Sequence, residues 1–408
     1  MQPVKFLFRL SLYAFALVGI IAAGALAAFV LLMPRPMPDP VLPVDYPAGA
    51  YPIGGSAPTY PEDFAKFAPG KPADEPFRLL AISEGGAGGA YGAGLLAAST
   101  ASADWPDFDI YTGVSVGALL ATMAFADKAG SDHLRPLITE IAETIEEDAK
   151  RPKVLDLFGI LFGRGAQISN DIEAIIRKTI DQDTVARIAR RHAAGKRLYV
   201  VSVDLTAGSP VLWDIGAIAA RPGPGNVARV HQALLASIGV PGVFPSQVVE
   251  ARGDQTLHID GAIMRPFYIS DHFIKLGRER PIQIHFLVNI KLNSPPVTQA
   301  ITPRLDAIIH RLLYLTLRTQ TDIFLERLLL DKMLFGWSVN VAAIPADTPG
   351  IHAIEAMTPQ GLATAFDTAY ASANAALTEN GALGKVWVPL TADVIGRDIP
   401  CGPLSQAC

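Results

Sequence analysis

The stretch Phe108-Asp109-Ile110-Tyr111-Thr112-Gly113-Val114-Ser115-Val116-Gly117-Ala118-Leu119-Leu120 decides how the chain is read. A short apolar run, Phe108 to Thr112, passes through Gly-x-Ser-x-Gly into a second apolar run, Ala118 to Ala126. The first reads as a strand and the second as a helix. A strand-to-helix turn this sharp crowds the backbone, so only small residues fit at Gly113 and Gly117, two positions either side of Ser115. Such a turn lifts the hydroxyl above a sheet and offers helix N–H groups to developing negative charge. A glycine-serine turn without catalysis has the same letters.

Upstream, Glu84-Gly85-Gly86-Ala87-Gly88-Gly89 lies between an expected strand, Phe77 to Ile82, and a helix running to about Thr100. Acyl transfer needs N–H donors around the oxyanion of its tetrahedral intermediate, and glycines let a backbone turn them inward. A nucleotide phosphate loop is the competing reading. The segment lacks the Lys-Ser/Thr ending and a strict Gly-x-Gly-x-x-Gly order. Downstream, His258-Ile259-Asp260-Gly261-Ala262 puts a carboxylate beside a glycine at a possible strand end. A serine is a weak nucleophile until a base takes its proton, and a carboxylate within hydrogen-bond reach can do so. An isolated Asp-Gly is most often a turn.

In this order the three segments resemble the patatin-like phospholipase family. Val200-Val201-Ser202-Val203-Asp204-Leu205-Thr206-Ala207-Gly208 and Ala236-Ser237-Ile238-Gly239-Val240-Pro241-Gly242-Val243-Phe244-Pro245 look like it too. The resemblance is clear from Phe77 to about Pro266. It implies a three-layer α/β/α fold with a central, mostly parallel sheet, in a bacterial, membrane-anchored member of the family. It also implies a Ser-Asp dyad without histidine: Ser115 as nucleophile, Asp260 as base, and N–H groups of Gly85, Gly86 and Ala87 as the oxyanion hole, with Gly113, Gly117 and Gly261 as motif glycines. No metal or cofactor enters that scheme. Two departures stand out: Glu84 replaces the family's usual first glycine, and Gly88 its usual Arg or Lys. A catalytically weak scaffold that binds a lipid or a partner is therefore a second reading. A Ser-His-acid triad is the mechanistic rival, since His258, His272, His285, His310 and His352 all follow the serine.

The rest of the chain agrees with an α/β sheet covered by helices. Residues 131–191 read as mainly helical, strands resume at Leu198 to Val203 and Val211 to Ile215, and a helix follows around Val227 to Ile238. Gln283 to Val288 reads as a buried strand, Leu305 to Leu334 as a long amphipathic helix and Trp337 to Ile344 as a late strand. This alternation indicates α/β architecture. The 408 residues are 50% hydrophobic and 18% charged, enough for one large domain plus extensions. Net charge is -5 and the cations form no long runs, so a nucleic-acid partner is disfavoured.

The N-terminus points to a membrane. Leu10 to Met33 carries no charge over 24 residues, follows Lys5 and Arg9, and is long enough to span a bilayer as a single transmembrane helix. The leading cations favour a cytoplasmic segment 1–9 and an exported domain on the periplasmic or extracytoplasmic side. Ala25-Leu26-Ala27 has the form of a signal-peptide site, but the apolar run continues to Met33, which favours an uncleaved anchor at 10–33. From Pro34 to Pro72 lie 11 of the 32 prolines, so 34–74 reads as an extended spacer before a domain at 75–392. In the tail, 393–408, Cys401 and Cys408 form a disulfide in an oxidising compartment or stay as thiols in a reducing one. Membrane lipids, phospholipid or lysophospholipid first, are the expected substrates. The apolar stretch between Pro152 and Ile180 reads as part of an acyl-chain entrance.

Overall fold

Five strands form the parallel centre of the sheet: β2 (Phe77–Ile82), β3 (Ile110–Val114), β4 (Arg197–Asp204), β8 (Ile282–Lys291) and β9 (Ser338–Ile344). Their spatial order is β4-β3-β2-β8-β9, with each neighbouring pair parallel. From β2 the chain adds β3 and β4 to one side and later β8 and β9 to the other. The direction of winding therefore reverses beside β2, and in open α/β sheets the carboxyl ends of the strands at such a point are where ligands bind. The loop after β2 begins with Glu84, and the turn after β3 holds Ser115.

The computed structural model describes residue 24 and residues 47–53, 71–72, 74–149, 168–240, 246–251, 254–269, 280–292, 305–345, 348, 358–380 and 383–396. The chain divides into units Met1–Val44 and Asp45–Cys408, and every element named here belongs to the second. The expected anchor at 10–33, Leu157, Leu161 and Phe162 of the expected acyl-chain entrance, and the Cys401 and Cys408 pair lie outside the described residues, Gly24 excepted. Among the described residues no helix is long and apolar enough to cross a membrane.

Side chains alternate along the strands, and the two faces carry separate cores. Leu80, Ile82, Tyr111, Leu198, Val200 and Trp213 face one core, built with helices α1 (Gly88–Thr100), α2 (Val116–Phe125), α3 (Ser131–Ala149), α4 (Ile168–Thr179), α5 (Gln182–Ala193), α6 (Ile215–Ala219), α7 (Asn226–Ile238) and α9 (Pro359–Asn380). Phe77, Leu79, Ile110, Val114, Tyr199 and Val201 face the other, which is closed by α8 (Leu305–Phe335) through Leu325, Leu328 and Leu329. Both faces are thus covered, as parallel strands require.

Antiparallel strands finish the sheet. β5 (Ser209–Asp214) pairs with β4, β10 (Val388–Pro389) pairs with β9, and β6 (Gln247–Ala251) forms a hairpin with β7 (Asp254–Asp260). Only the strand end at Asp260 has a counterpart among the sequence expectations; the rest of the hairpin has none, because its exposed positions break the apolar run that marked the other strands. The spacer expectation needs correcting at one place: β1 (Ala50–Pro52) pairs antiparallel with β5, and Asp214 N–H donates to Gly49 O at 2.7 Å. An edge strand tolerates the flanking prolines because its outer side needs no N–H donors. The serine turn also starts later than the apolar run suggests, with β3 extending to Val114.

Candidate active site

Strand register brings the proposed nucleophile and base together. Along one edge of β4, Arg197 to Val201 pair with β3, and Val114 is the partner of Val201. There β3 stops and β7 takes over the same edge from the opposite direction, with Ser202 paired to Asp260. The carboxyl ends of β3 and β7 therefore meet head to head, and the residue after Val114 is Ser115. Its Oγ donates to Asp260 Oδ2 at 2.6 Å. Asp260 Oδ1 accepts from Ala262 N–H at 2.8 Å, and Asp260 N–H donates to Gly239 O at 3.0 Å. Both side chains are buried, with 6% of Ser115 and 1% of Asp260 exposed.

Ser115 has φ 57 and ψ -130, a conformation non-glycine residues rarely adopt outside functional turns. The turn is over-determined by its surroundings. A Cβ on Gly117 would lie 2.3 Å from Ser83 O, and one on Gly113 would lie 2.2 Å from Gly117 O. Gly261 is equally constrained, since its Cβ would lie 2.3 Å from Val201 O. Ser115 N–H donates to Ser237 Oγ at 3.0 Å, tying the turn to the end of α7.

The loop from Gly85 to Ala87 follows β2 directly. Gly88, Gly89 and Ala90 donate back to the carbonyls of Gly85, Gly86 and Ala87, which starts α1. Among the described residues no acceptor engages the N–H groups of Gly85, Gly86 or Ala87. Asn289, near the end of β8, clamps the loop from below: its N–H donates to Ser83 Oγ and its Nδ2 to Ser83 O, both at 2.7 Å. A Cβ on Gly88 would lie 1.9 Å from Asn289 O, so the Arg or Lys usual in the family has no room here.

Residues 80–271 match the family model described as Patatin-like phospholipase. The chain carries a patatin-like phospholipase domain. The crystal structure of VipD from Legionella pneumophila is similar over 76% of this chain and 67% of that one, with 13% identity and a TM-score of 0.32. No curated protein matches the chain. Patatin-like phospholipases act on lipid substrates, which places the domain in the lipid acyl hydrolase class.

In this patatin-like domain the electrostatics centre on two buried carboxyls. Burial pushes Asp260 up to about 7, against the lowering effect of the Ser115 and Ala262 hydrogen bonds. Glu84 is buried as well, and burial together with the charge of Asp260 pushes it up to about 8. Glu84 thus faces the protein interior, and at neutral pH it carries a proton that removes most of the repulsion expected of an extra acid.

The histidines stand elsewhere. His258 shares one ring nitrogen with Ser202 Oγ and the other with Thr256 Oγ1, each at 2.9 Å. His285 packs among Phe108, Trp105 and Trp387. Neither bonds to Ser115 or Asp260. His272, His352 and the side chain of His310 lie outside the described residues. Among the described residues no group of three or more metal-ligating side chains is assembled. Asn289 and Thr321 carried no sequence signal as site residues, since each makes its contact across a long separation. Ser237 did lie in a segment that resembles the family.

Proposed function

We propose that the protein is a serine hydrolase cleaving carboxylic esters of lipids, with Ser115 as nucleophile and Asp260 as base. The observation that carries this reading is the 2.6 Å hydrogen bond from Ser115 Oγ to Asp260 Oδ2 at a turn with φ 57. Asp260 takes the Ser115 proton as Oγ adds to the acyl carbonyl. The N–H groups of Gly85, Gly86 and Ala87 receive the oxyanion. As the tetrahedral intermediate collapses, Asp260 returns the proton to the departing alkoxide and the acyl group stays on Ser115. Water, deprotonated by Asp260, then attacks the acyl-enzyme; the acyl C–Oγ bond breaks, Asp260 returns the proton to Ser115 Oγ, and the carboxylic acid is freed.

A base held near 7 suits this work, because about half of it is ionised at neutral pH and it is basic enough to accept a proton. The lipid assignment rests on the family, and the uncharged run at 10–33 supports a single-pass anchor that holds the domain on the exported side of a membrane. Labelling with a fluorophosphonate, followed by a panel of phospholipids, lysophospholipids and neutral esters, tests the reading. Wild type that labels no faster than Ser115→Ala would sink the hydrolase, leaving a lipid-binding scaffold. Full turnover in Asp260→Asn would sink the dyad.

A further inference from the structure

Glu84 takes no part in the dyad, yet it is only 4% exposed and stands at the first position of the oxyanion loop. Its N–H donates to Pro266 O at 3.3 Å, and the neighbouring Phe267 ring lies against Phe286 and stacks on Phe324 of α8, with centroids 4.1 Å and 5.0 Å away. One turn before Phe324, Thr321 brings its Oγ1 to 3.4 Å from Glu84 Oε1 and 3.0 Å from Leu317 O. A hydroxyl has one proton to give. Shared between the two oxygens, it ties the carboxyl at the head of the oxyanion loop to α8.

No cation among the described residues pairs with Glu84, and an unpaired buried carboxylate is strongly disfavoured. The titratable group facing it is Asp260, at the end of β7. From β2 and β8 the groups packed against it are the uncharged Ser83 and Asn289. The nearest cations on adjoining elements are turned to other partners or to solvent: Lys291 donates to Thr348 O, Arg318 to Tyr314 Oη, and Arg265 is exposed.

We propose that Glu84 is a positioning residue, a neutral carboxylic acid bracing the oxyanion loop against α8, whose loss of a proton shuts the acyl site by setting a second negative charge beside Asp260 and the forming oxyanion. The proposal rests on the hydrolase reading for its second half and on geometry alone for its first. In the neutral form Glu84 adds no charge to oppose the oxyanion. In the ionised form it repels the oxyanion and Asp260 together.

The test uses the full-length chain in detergent micelles with a soluble ester. For wild type, kcat/KM is expected to fall about tenfold per pH unit on the alkaline side, above the Glu84 titration. Glu84→Gln, which keeps a neutral donor, should lose that fall. Thr321→Val removes a hydrogen bond that holds the Glu84 titration down and should move the fall to higher pH, which keeps the idea testable if Glu84→Gln does not fold. A second readout does not need turnover: the infrared carbonyl intensity of protonated carboxyls, weaker at pH 7 to 8 in Glu84→Gln than in wild type. An unchanged alkaline fall in Glu84→Gln, a fall that stays or moves downward in Thr321→Val, or no infrared difference would each overturn the proposal. If wild type neither labels at Ser115 nor turns over, the hydrolase reading fails and the switch with it, while the infrared band still decides the neutral brace.

Discussion

Ser115 and Asp260 share one hydrogen bond, and each can be removed without a large change in volume. Ser115→Ala and Asp260→Asn are each expected to lower kcat/KM for an ester by about a thousandfold or more, because residues that act as a unit fail together. Steady-state hydrolysis measures this, and unchanged urea midpoints would show that the folds survive. The pH dependence follows from the sign of the Asp260 shift. Its carboxylate must be ionised to accept the serine proton, so kcat/KM should rise as pH climbs through about 7. A profile already flat by pH 5 to 6 would mean that Asp260 titrates as an ordinary carboxyl. Of these residues, Ser115 was the more legible in sequence, since the glycines on either side state the sterics of its turn. Asp260 sits in a dipeptide that usually means only a turn.

At the scale of elements, the site depends on how closely β2, β3 and α2 approach one another. Gly117→Ala would place a methyl group 2.3 Å from Ser83 O, so it should cost about 1–3 kcal/mol of stability and displace the serine. Urea denaturation and fluorophosphonate labelling read the two effects separately. Ser237→Ala removes the acceptor for the Ser115 N–H at the end of α7 and should slow labelling more than it lowers stability. The Asn289 clamp on Ser83 spans 206 positions of sequence and left no trace in any local pattern. The β6–β7 hairpin was missed for a related reason: Val248 is half exposed, so its strand lacks a buried run. The Gly-rich loop was legible as a donor loop, but whether Glu84 faced inward or outward depended on α8, which packs there from the far end of the chain.

For the whole molecule, stability should respond to pH in two opposed ways. Glu84, Asp260 and Asp214 have carboxyls raised chiefly by burial to about 8, 7 and 6, so the folded chain holds protons that the unfolded chain has released. Their contribution is present at acid pH and lost as pH rises through those values. His192, His258 and His285 are lowered to about 4, chiefly by burial, and act in the opposite sense, adding stability as pH rises from about 4 to 6.5. The two sets offset one another in acid, leaving a net decline between about pH 6.5 and 8 that Glu84→Gln should reduce. Urea midpoints at pH 6, 7 and 8 check it. Removing residues 1–46 should release the protein from a membrane fraction while keeping β1. Removing 1–53 should cost a further 2 kcal/mol or so by uncovering the edge of β5, as read from urea unfolding.

The α/β class, the strand-turn-helix around Ser115 and the glycine loop as a source of N–H donors were all legible in the order of the amino acids. These are local consequences of apolar period, residue size and backbone freedom within a few residues. Only the tertiary structure decided that β7 replaces β3 along the edge of β4, so that Asp260 arrives at Ser115 from 145 positions away. It alone decided that Glu84 is enclosed beside Asp260 and Thr321, because pairing register and burial arise from segments that no window of sequence contains together.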